Sequence, residues 1–195
     1  RIICVGDRLT YGYGLMGAFT LHSYPAVLQE LLGNEYQVMN FGICDRTLSN
    51  SADKPYQKEK IFTASLSSDP EAVIIMLGTN DAKPRNWNAE EYEKDLKSLV
   101  FLYRNLQSSP SIILMQPPKA FSVLGKTLDG IQDGIIRTDI HEIISRVANE
   151  TNSSVIDLYG LTENHRDWFT DGIHMNKNGT RAVAEVLCRA ISKLV

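Results

Sequence analysis

The sequence predicts an α/β fold built on a mainly parallel sheet. Two observations carry this. Five short apolar runs, rich in β-branched or aliphatic residues and bounded by turn formers, recur along the chain. Between them lie longer stretches whose apolar residues step by three and four. Strands alternating with helices give a parallel sheet covered by helices.

The strands are read at residues 2–5, 37–40, 72–77, 111–115 and 154–158. The first helical pattern, residues 23–32, sets Val27, Leu28, Leu31 and Leu32 on one face, and residues 54–66 form a weaker pattern. Residues 89–106 carry Tyr92, Leu96, Leu99, Val100 and Tyr103. Residues 131–150 carry Ile135, Ile136, Ile140, Ile143, Ile144 and Val147, and residues 176–194 carry Ala182, Val183, Val186, Leu187, Ala190 and Ile191. These stripes are core faces and are given no chemistry.

With 195 residues and no repeat, low-complexity tract or linker, one domain over 1–195 is expected. A hydrophobic fraction of 43% and a charged fraction of 22% exclude disorder, collagen and coiled coil as descriptions of the whole chain. Twenty Lys and Arg against 23 Asp and Glu leave no basic excess, which argues against a general binder of nucleic acid or anionic membrane. No apolar run approaches the ~18 residues of a membrane helix. Cys4, Cys44 and Cys188, odd in number and widely spaced, fit neither a disulfide framework nor a zinc pattern and read as reduced, structural thiols. No secretory leader is read, which leans towards the cytoplasm, but the chain opens on Arg1 rather than Met and secretion stays open.

Parallel α/β sheets bind ligands beyond the carboxyl ends of their strands. The segments to search are therefore 6–17, 42–48, 78–87, 116–130 and 159–174. The first holds Gly6-Asp7-Arg8-Leu9, the second follows Asn40-Phe41-Gly42, the third opens Gly78-Thr79-Asn80-Asp81, and the last contains Asp171-Gly172-Ile173-His174. Ester hydrolysis needs a nucleophile, a base, an orienter for the base and donors for the oxyanion. Asp171, three residues before His174, can meet the imidazole, fix its tautomer and stabilise its protonated form. Asn80 offers an amide donor at a strand end. Gly42 lacks a Cβ, so its N–H can approach a ligand closely. Each feature alone is ordinary, since Asp-Gly and Gly-Asp are common in turns.

Together, in this order and each after the expected strand, the blocks resemble the SGNH hydrolases, the GDSL esterase/lipase family. The resemblance runs from Ile2 to the final helix and is most specific at Gly78-Thr79-Asn80-Asp81 and Asp171-x-x-His174. It implies a three-layer α/β/α sandwich with a five-stranded parallel sheet, flavodoxin-like. It also implies that His174 is the base, that Asp171 orients it, and that Gly42 and Asn80 line the oxyanion hole with the N–H at the nucleophile position. No metal or organic cofactor is implied. The expected partner is a small-molecule or carbohydrate ester, with short-acyl carbohydrate O-acetyl esters foremost and arylesters, lysophospholipids or thioesters behind. One departure stands out: the family's nucleophilic serine position is held by Arg8, in Gly-Asp-Arg. Cys44-Asp45 likewise replaces the Ser-Gly often found after the second block's glycine.

A guanidinium stays protonated and offers donors only, so Arg8 cannot act as the serine does. It is expected to reach Asp171 or Asp45, or to turn to solvent. The competing class is therefore a binding module, a dead hydrolase fold that keeps a carbohydrate or other ligand in its pocket. A nucleotide-binding flavodoxin-like domain is disfavoured because 6–17 lacks phosphate-loop spacing. Asp7 is read as a cap and Asp81 as a supporting residue. His22 and His141 are read as structural and His165 as bordering the pocket. Trp87, Phe121 and Trp168 are candidate pocket walls, with loop packing the equal alternative.

Overall fold

The computed structural model describes residues 1–15 and 19–193. The expected loop end at Gly17 and helix end at Leu194 lie outside the described residues. The strands are β1 (Ile2–Gly6), β2 (Val38–Gly42), β3 (Ala72–Met76), β4 (Ser111–Gln116) and β5 (Ser154–Asp157). They form one sheet in the order β2-β1-β3-β4-β5, with every pair parallel. Gly6 stands level with Gly42 on one side and Met76 on the other. The chain leaves β1 towards β2 and returns across it to β3, so a crevice opens beyond their carboxyl ends.

The period-2 rule of strands splits the core into two layers. Ile3, Val5, Val73, Ile75, Ile112 and Leu114 face one side, and Ile2, Cys4, Ile74, Met76, Ile113 and Met115 face the other. The helices are α1 (Arg8–Tyr11), α2 (Phe19–His22), α3 (Tyr24–Leu32), α4 (Lys60–Leu66), α5 (Ala89–Arg104), α6 (Asp133–Ile135), α7 (His141–Thr151), α8 (Leu158–Thr162) and α9 (Lys177–Ile191). On the first side lie α4, α5 and α7, through Phe62, Leu96, Leu99, Ile144 and Val147. On the second lie α3 and α9, through Val27, Leu28, Val183 and Leu187. Each such buried aliphatic side chain stabilises by ~1.5–3 kcal/mol. The three layers expected from the sequence are therefore present.

The differences are local. The weak pattern at 54–66 divides into a 3₁₀ turn, Tyr56–Lys58, and α4. The pattern at 131–150 begins at Asp133 and includes a π-helical stretch, Ile136–Ile140, between α6 and α7. Ile136 and Ile140, the two ends of that stretch, are both buried. Residue 158 belongs to α8 rather than to β5, because Asp157 caps that helix by accepting from Gly160 N at 2.8 Å.

Candidate active site

Three strand ends and one late loop converge at the crevice. At the end of β1, Asp7 caps α1, its Oδ1 accepting from Leu9 N at 2.9 Å. Asp7 is buried, and burial, opposed by its bond to Leu9, pushes its carboxyl up to about 7. Arg8 is the first residue of α1. Its guanidinium pairs with Asp45, lies 3.5 Å from Asp129 Oδ2 and stands 5.5 Å from the centre of the Tyr13 ring. Of the two carboxylates expected for it, Asp45 is found. Asp171 is not; its carboxylate is turned to the loop of His174.

Asp171 accepts from His174 N at 2.8 Å and Ile173 N at 3.0 Å, and its Oδ2 lies 2.6 Å from His174 Nδ1. Burial acts to raise the Asp171 carboxyl, but these bonds outweigh it and hold it below the usual range. His174 is 1% exposed, and its Nε2 is buried without a hydrogen-bond partner among the described residues. Tyr13 packs on the imidazole with ring centres 4.7 Å apart, so this one ring touches both His174 and Arg8. At Gly14, where φ is +96°, a Cβ would lie 2.8 Å from His174 Cβ, so glycine lets this loop pack against the base of the His174 side chain.

At the end of β3, Asn80 Nδ2 donates to Arg46 O at 3.1 Å and, at a long 3.4 Å, to Asp7 Oδ2. The second contact is weak enough for a better acceptor to replace it. Asp81 supports the second block as expected, accepting from Leu48 N and Ser49 N at 2.9 Å each. Its carboxyl is pushed up to about 6 by burial, which those bonds offset in part. A small cavity of about 10 Å³ is lined by Arg8, Asn80, Asp129, Ile173 and His174, among others. That is close to the space one water needs.

Gly42 does not line this cavity. Its N–H donates to Asn40 Oδ1 at 2.8 Å, and a Cβ would fall 2.7 Å from Thr10 C and closer still to Tyr11 N. The missing side chain there lets β2 pack against the backbone of α1. Asn40 also donates from Nδ2 to Thr10 O at 2.8 Å, tying the second block to the first.

None of the three aromatic candidates lines the small cavity. Trp87 packs on Tyr92 with ring centres 5.5 Å apart. Phe121 packs on Phe169 at 5.3 Å, and Trp168 stacks on His165 at 3.7 Å with an 8° interplanar angle. Loop packing is what these rings do. His141 lies 3.9 Å from Asp157, away from the crevice. Among the described residues no cluster of His, Cys, Asp and Glu could hold a metal ion, and no helix is long and apolar enough to cross a membrane. Sequence reasoning missed Tyr13, Lys83 and Asp129 as site residues. Only Tyr13 carried a signal, standing between two glycines in the loop after β1.

A parallel sheet in this order, with an Asp–His pair beyond its carboxyl edge, has the architecture of the flavodoxin-like SGNH hydrolases. The model of the GDSL-like lipase/acylhydrolase family matches residues 4–182, and the chain belongs to that family. It is 34% identical over 210 residues to an acetylxylan esterase of Xylanibacter ruminicola, a match covering 98% of this chain and 43% of that protein. The chain thus spans less than half the length of that relative. Among solved structures, a carbohydrate acetylesterase family member from Sinorhizobium meliloti superposes with a TM-score of 0.75 at 23% identity, covering 97% of this chain and 96% of its own. A mutant acetyl-xylooligosaccharide esterase from Geobacillus gives 0.76 at 24% identity, covering 97% and 93%. At these identities the likeness is one of fold.

Proposed function

We propose that this chain is a single-domain SGNH scaffold for carboxylic-ester hydrolysis, shaped for short-acyl carbohydrate O-acetyl esters, in which Arg8 occupies the nucleophile position and suppresses turnover. The observation that carries this is His174. One ring nitrogen is fixed by Asp171 at 2.6 Å, and the other is buried with no partner among the described residues. A buried imidazole nitrogen without a partner is costly, and it suits a base waiting for a hydroxyl. With a serine at position 8, Nε2 would take the hydroxyl proton as Oγ attacks the ester carbon, the imidazolium held by Asp171 would pass it to the departing alcohol, and a water activated by the same nitrogen would then release the acyl group. The oxyanion draws on Asn80 Nδ2, released from Asp7, and on the N–H of residue 8. Gly42 N–H joins them only after leaving Asn40 Oδ1.

The acetyl preference is supported by the acetylxylan esterase relative. Arg8 brings a cation and no nucleophile. A second reading, a ligand-binding module without turnover, is favoured by the contacts that Arg8 makes with Asp45, Asp129 and Tyr13.

The test is a panel of acetyl to decanoyl p-nitrophenyl esters on this chain and on Arg8→Ser. The unaltered chain should be nearly inactive, and Arg8→Ser should gain at least ~10²-fold on acetyl ester, since losing a triad member costs far more than that. Equal rates for the two proteins would refute the reading, and rates rising towards decanoyl would refute the short-acyl preference.

A further inference from the structure

Next to the Asp171–His174 pair lies a second cavity, of about 250 Å³, and every side chain lining it is charged. Four are cations, Arg8, Lys54, Lys83 and Arg85, and three are carboxylates, Asp45, Asp53 and Asp129, so the walls carry one net positive charge. The arginines are closely paired and the lysines loosely. Besides the Arg8–Asp45 contact, Lys54 Nζ is 3.4 Å from Asp45, Arg85 Nη2 is 2.9 Å from Asp53, and Lys83 Nζ is 3.7 Å from Asp129.

Lys83 is the unusual member. Its side chain is 8% exposed, yet its ammonium donates no hydrogen bond among the described residues, and Asp129 is its only ion-pair partner there. An ammonium has three donors, and Lys83 lines the cavity, so the donors that Asp129 does not meet can serve a ligand there. Burial, aided by the nearby Arg8 and Arg85, lowers the Lys83 amine from the ordinary lysine range, with Asp129 and Asp53 opposing.

Building on the carbohydrate-ester reading, we propose that this cavity is a subsite for a carboxylate-bearing sugar, the uronate unit of an acidic oligosaccharide. The Lys83 ammonium and Arg8 guanidinium meet the carboxylate, while Asp45, Asp53 and Asp129 accept from ring hydroxyls. Three features select this class. One surplus positive charge matches a monoanion, whereas the three carboxylates oppose a dianion such as a phosphate. Donors alternating with acceptors, without an apolar wall, suit a polyol. The volume lies just below the ~300–1,000 Å³ of sites for drug-sized ligands, the scale of a single sugar ring. A serine at position 8 would leave three cations against three carboxylates, so Arg8 itself supplies the surplus. The residue that removes the nucleophile thereby supplies the anion anchor.

Calorimetric titration of the unaltered chain with methyl glucuronide, methyl glucoside and sodium acetate tests this without any turnover. The glucuronide should bind at least ~10-fold more tightly than the neutral sugar, which lacks the charge-assisted hydrogen bonds, and than acetate, which lacks the ring hydroxyls. Lys83→Met should remove most of that preference. Arg85→Gln, at a side chain 68% exposed and so safe for the fold, should weaken glucuronide binding several-fold. Arg8→Ser should lose the preference while gaining acetyl-ester turnover. Equal binding of glucuronide and glucoside by the unaltered chain overturns the subsite, whatever Arg8→Ser does to esters. Acetate binding as tightly as glucuronide overturns the sugar assignment. Conversely, a glucuronide preference alongside an inert Arg8→Ser supports the subsite and overturns only the hydrolase reading.

Discussion

On the late-loop side of the crevice, His174 is held by Asp171 at 2.6 Å and keeps one buried nitrogen without a partner. On the β1 side, Arg8 is spread over Asp45, Asp129 and the Tyr13 ring. The first arrangement leaves a buried ring nitrogen without a partner among the described residues, beside a cavity the size of one water. The second sets its charge against two carboxylates and an aromatic ring. Under the hydrolase reading proposed above, that nitrogen is the base awaiting a hydroxyl, and Arg8 stands where the hydroxyl would be. The two sides touch through Tyr13, so restoring a hydroxyl at residue 8 should reconnect them.

The largest effect expected from breaking this arrangement is at His174. In the Arg8→Ser background, His174→Ala should cut acetyl-ester turnover by ~10⁴-fold or more, as for a triad base. His22→Ala and His141→Ala should leave the rate unchanged, and a His174→Ala variant with full activity would remove it from the role of base. Next comes Asn80. Asn80→Ala in the same background should lower kcat by ~10²–10³-fold with KM little changed, the pattern of a donor used mainly in the transition state. Steady-state kinetics reads the split, and a change confined to KM would make Asn80 a substrate-positioning residue.

The smallest effect sharpens the view of the buried carboxyls behind the site. Asp7 and Asp81 are raised to about 7 and about 6, in both cases chiefly by burial. A carboxyl raised in the folded state contributes stability that is complete below its unfolded value of ~4 and is lost as pH rises through the folded value. Asp171, lowered despite burial, and Glu93, lowered to about 2 mainly by its bond from Arg146, act in the opposite sense and lose their contribution on acidification. Thermal unfolding should therefore show Tm falling between pH 5 and pH 8. Asp7→Asn, which keeps an acceptor for Leu9 N, should flatten that fall. A Tm independent of pH over this range in the unaltered chain would contradict the burial account of Asp7 and Asp81.

The sheet was legible because the strands are buried on both faces and read as apolar runs, and because the helices that cover them carry one-sided stripes. The Asp171–His174 pair was legible because both partners lie within four residues, so chain geometry alone brings them together. Arg8 reaching Asp45 was among the expected outcomes, but its contact with Asp129 spans 121 residues, a pairing no local pattern encodes. Lys83 was missed for the same reason, since its meaning depends on loops from three parts of the chain. Gly42 shows a different limit. Its lack of a side chain was visible in the sequence, but whether that space serves a ligand or the backbone of α1 depends on packing. Trp87, Phe121 and Trp168 repeat that lesson, because an aromatic in a loop looks the same whether it faces a pocket or another ring.

The central claim is that residue 8 stands at the nucleophile position, within reach of His174. Intact-protein mass spectrometry after treatment with a diethyl phosphoryl ester tests it most directly, since such reagents trap a serine only when a base activates it. Arg8→Ser should gain one diethylphosphoryl group, mapped to Ser at position 8, while the unaltered chain and the Arg8→Ser, His174→Ala double variant should gain none. An unlabelled Arg8→Ser protein, or labelling that survives loss of His174, would contradict the account.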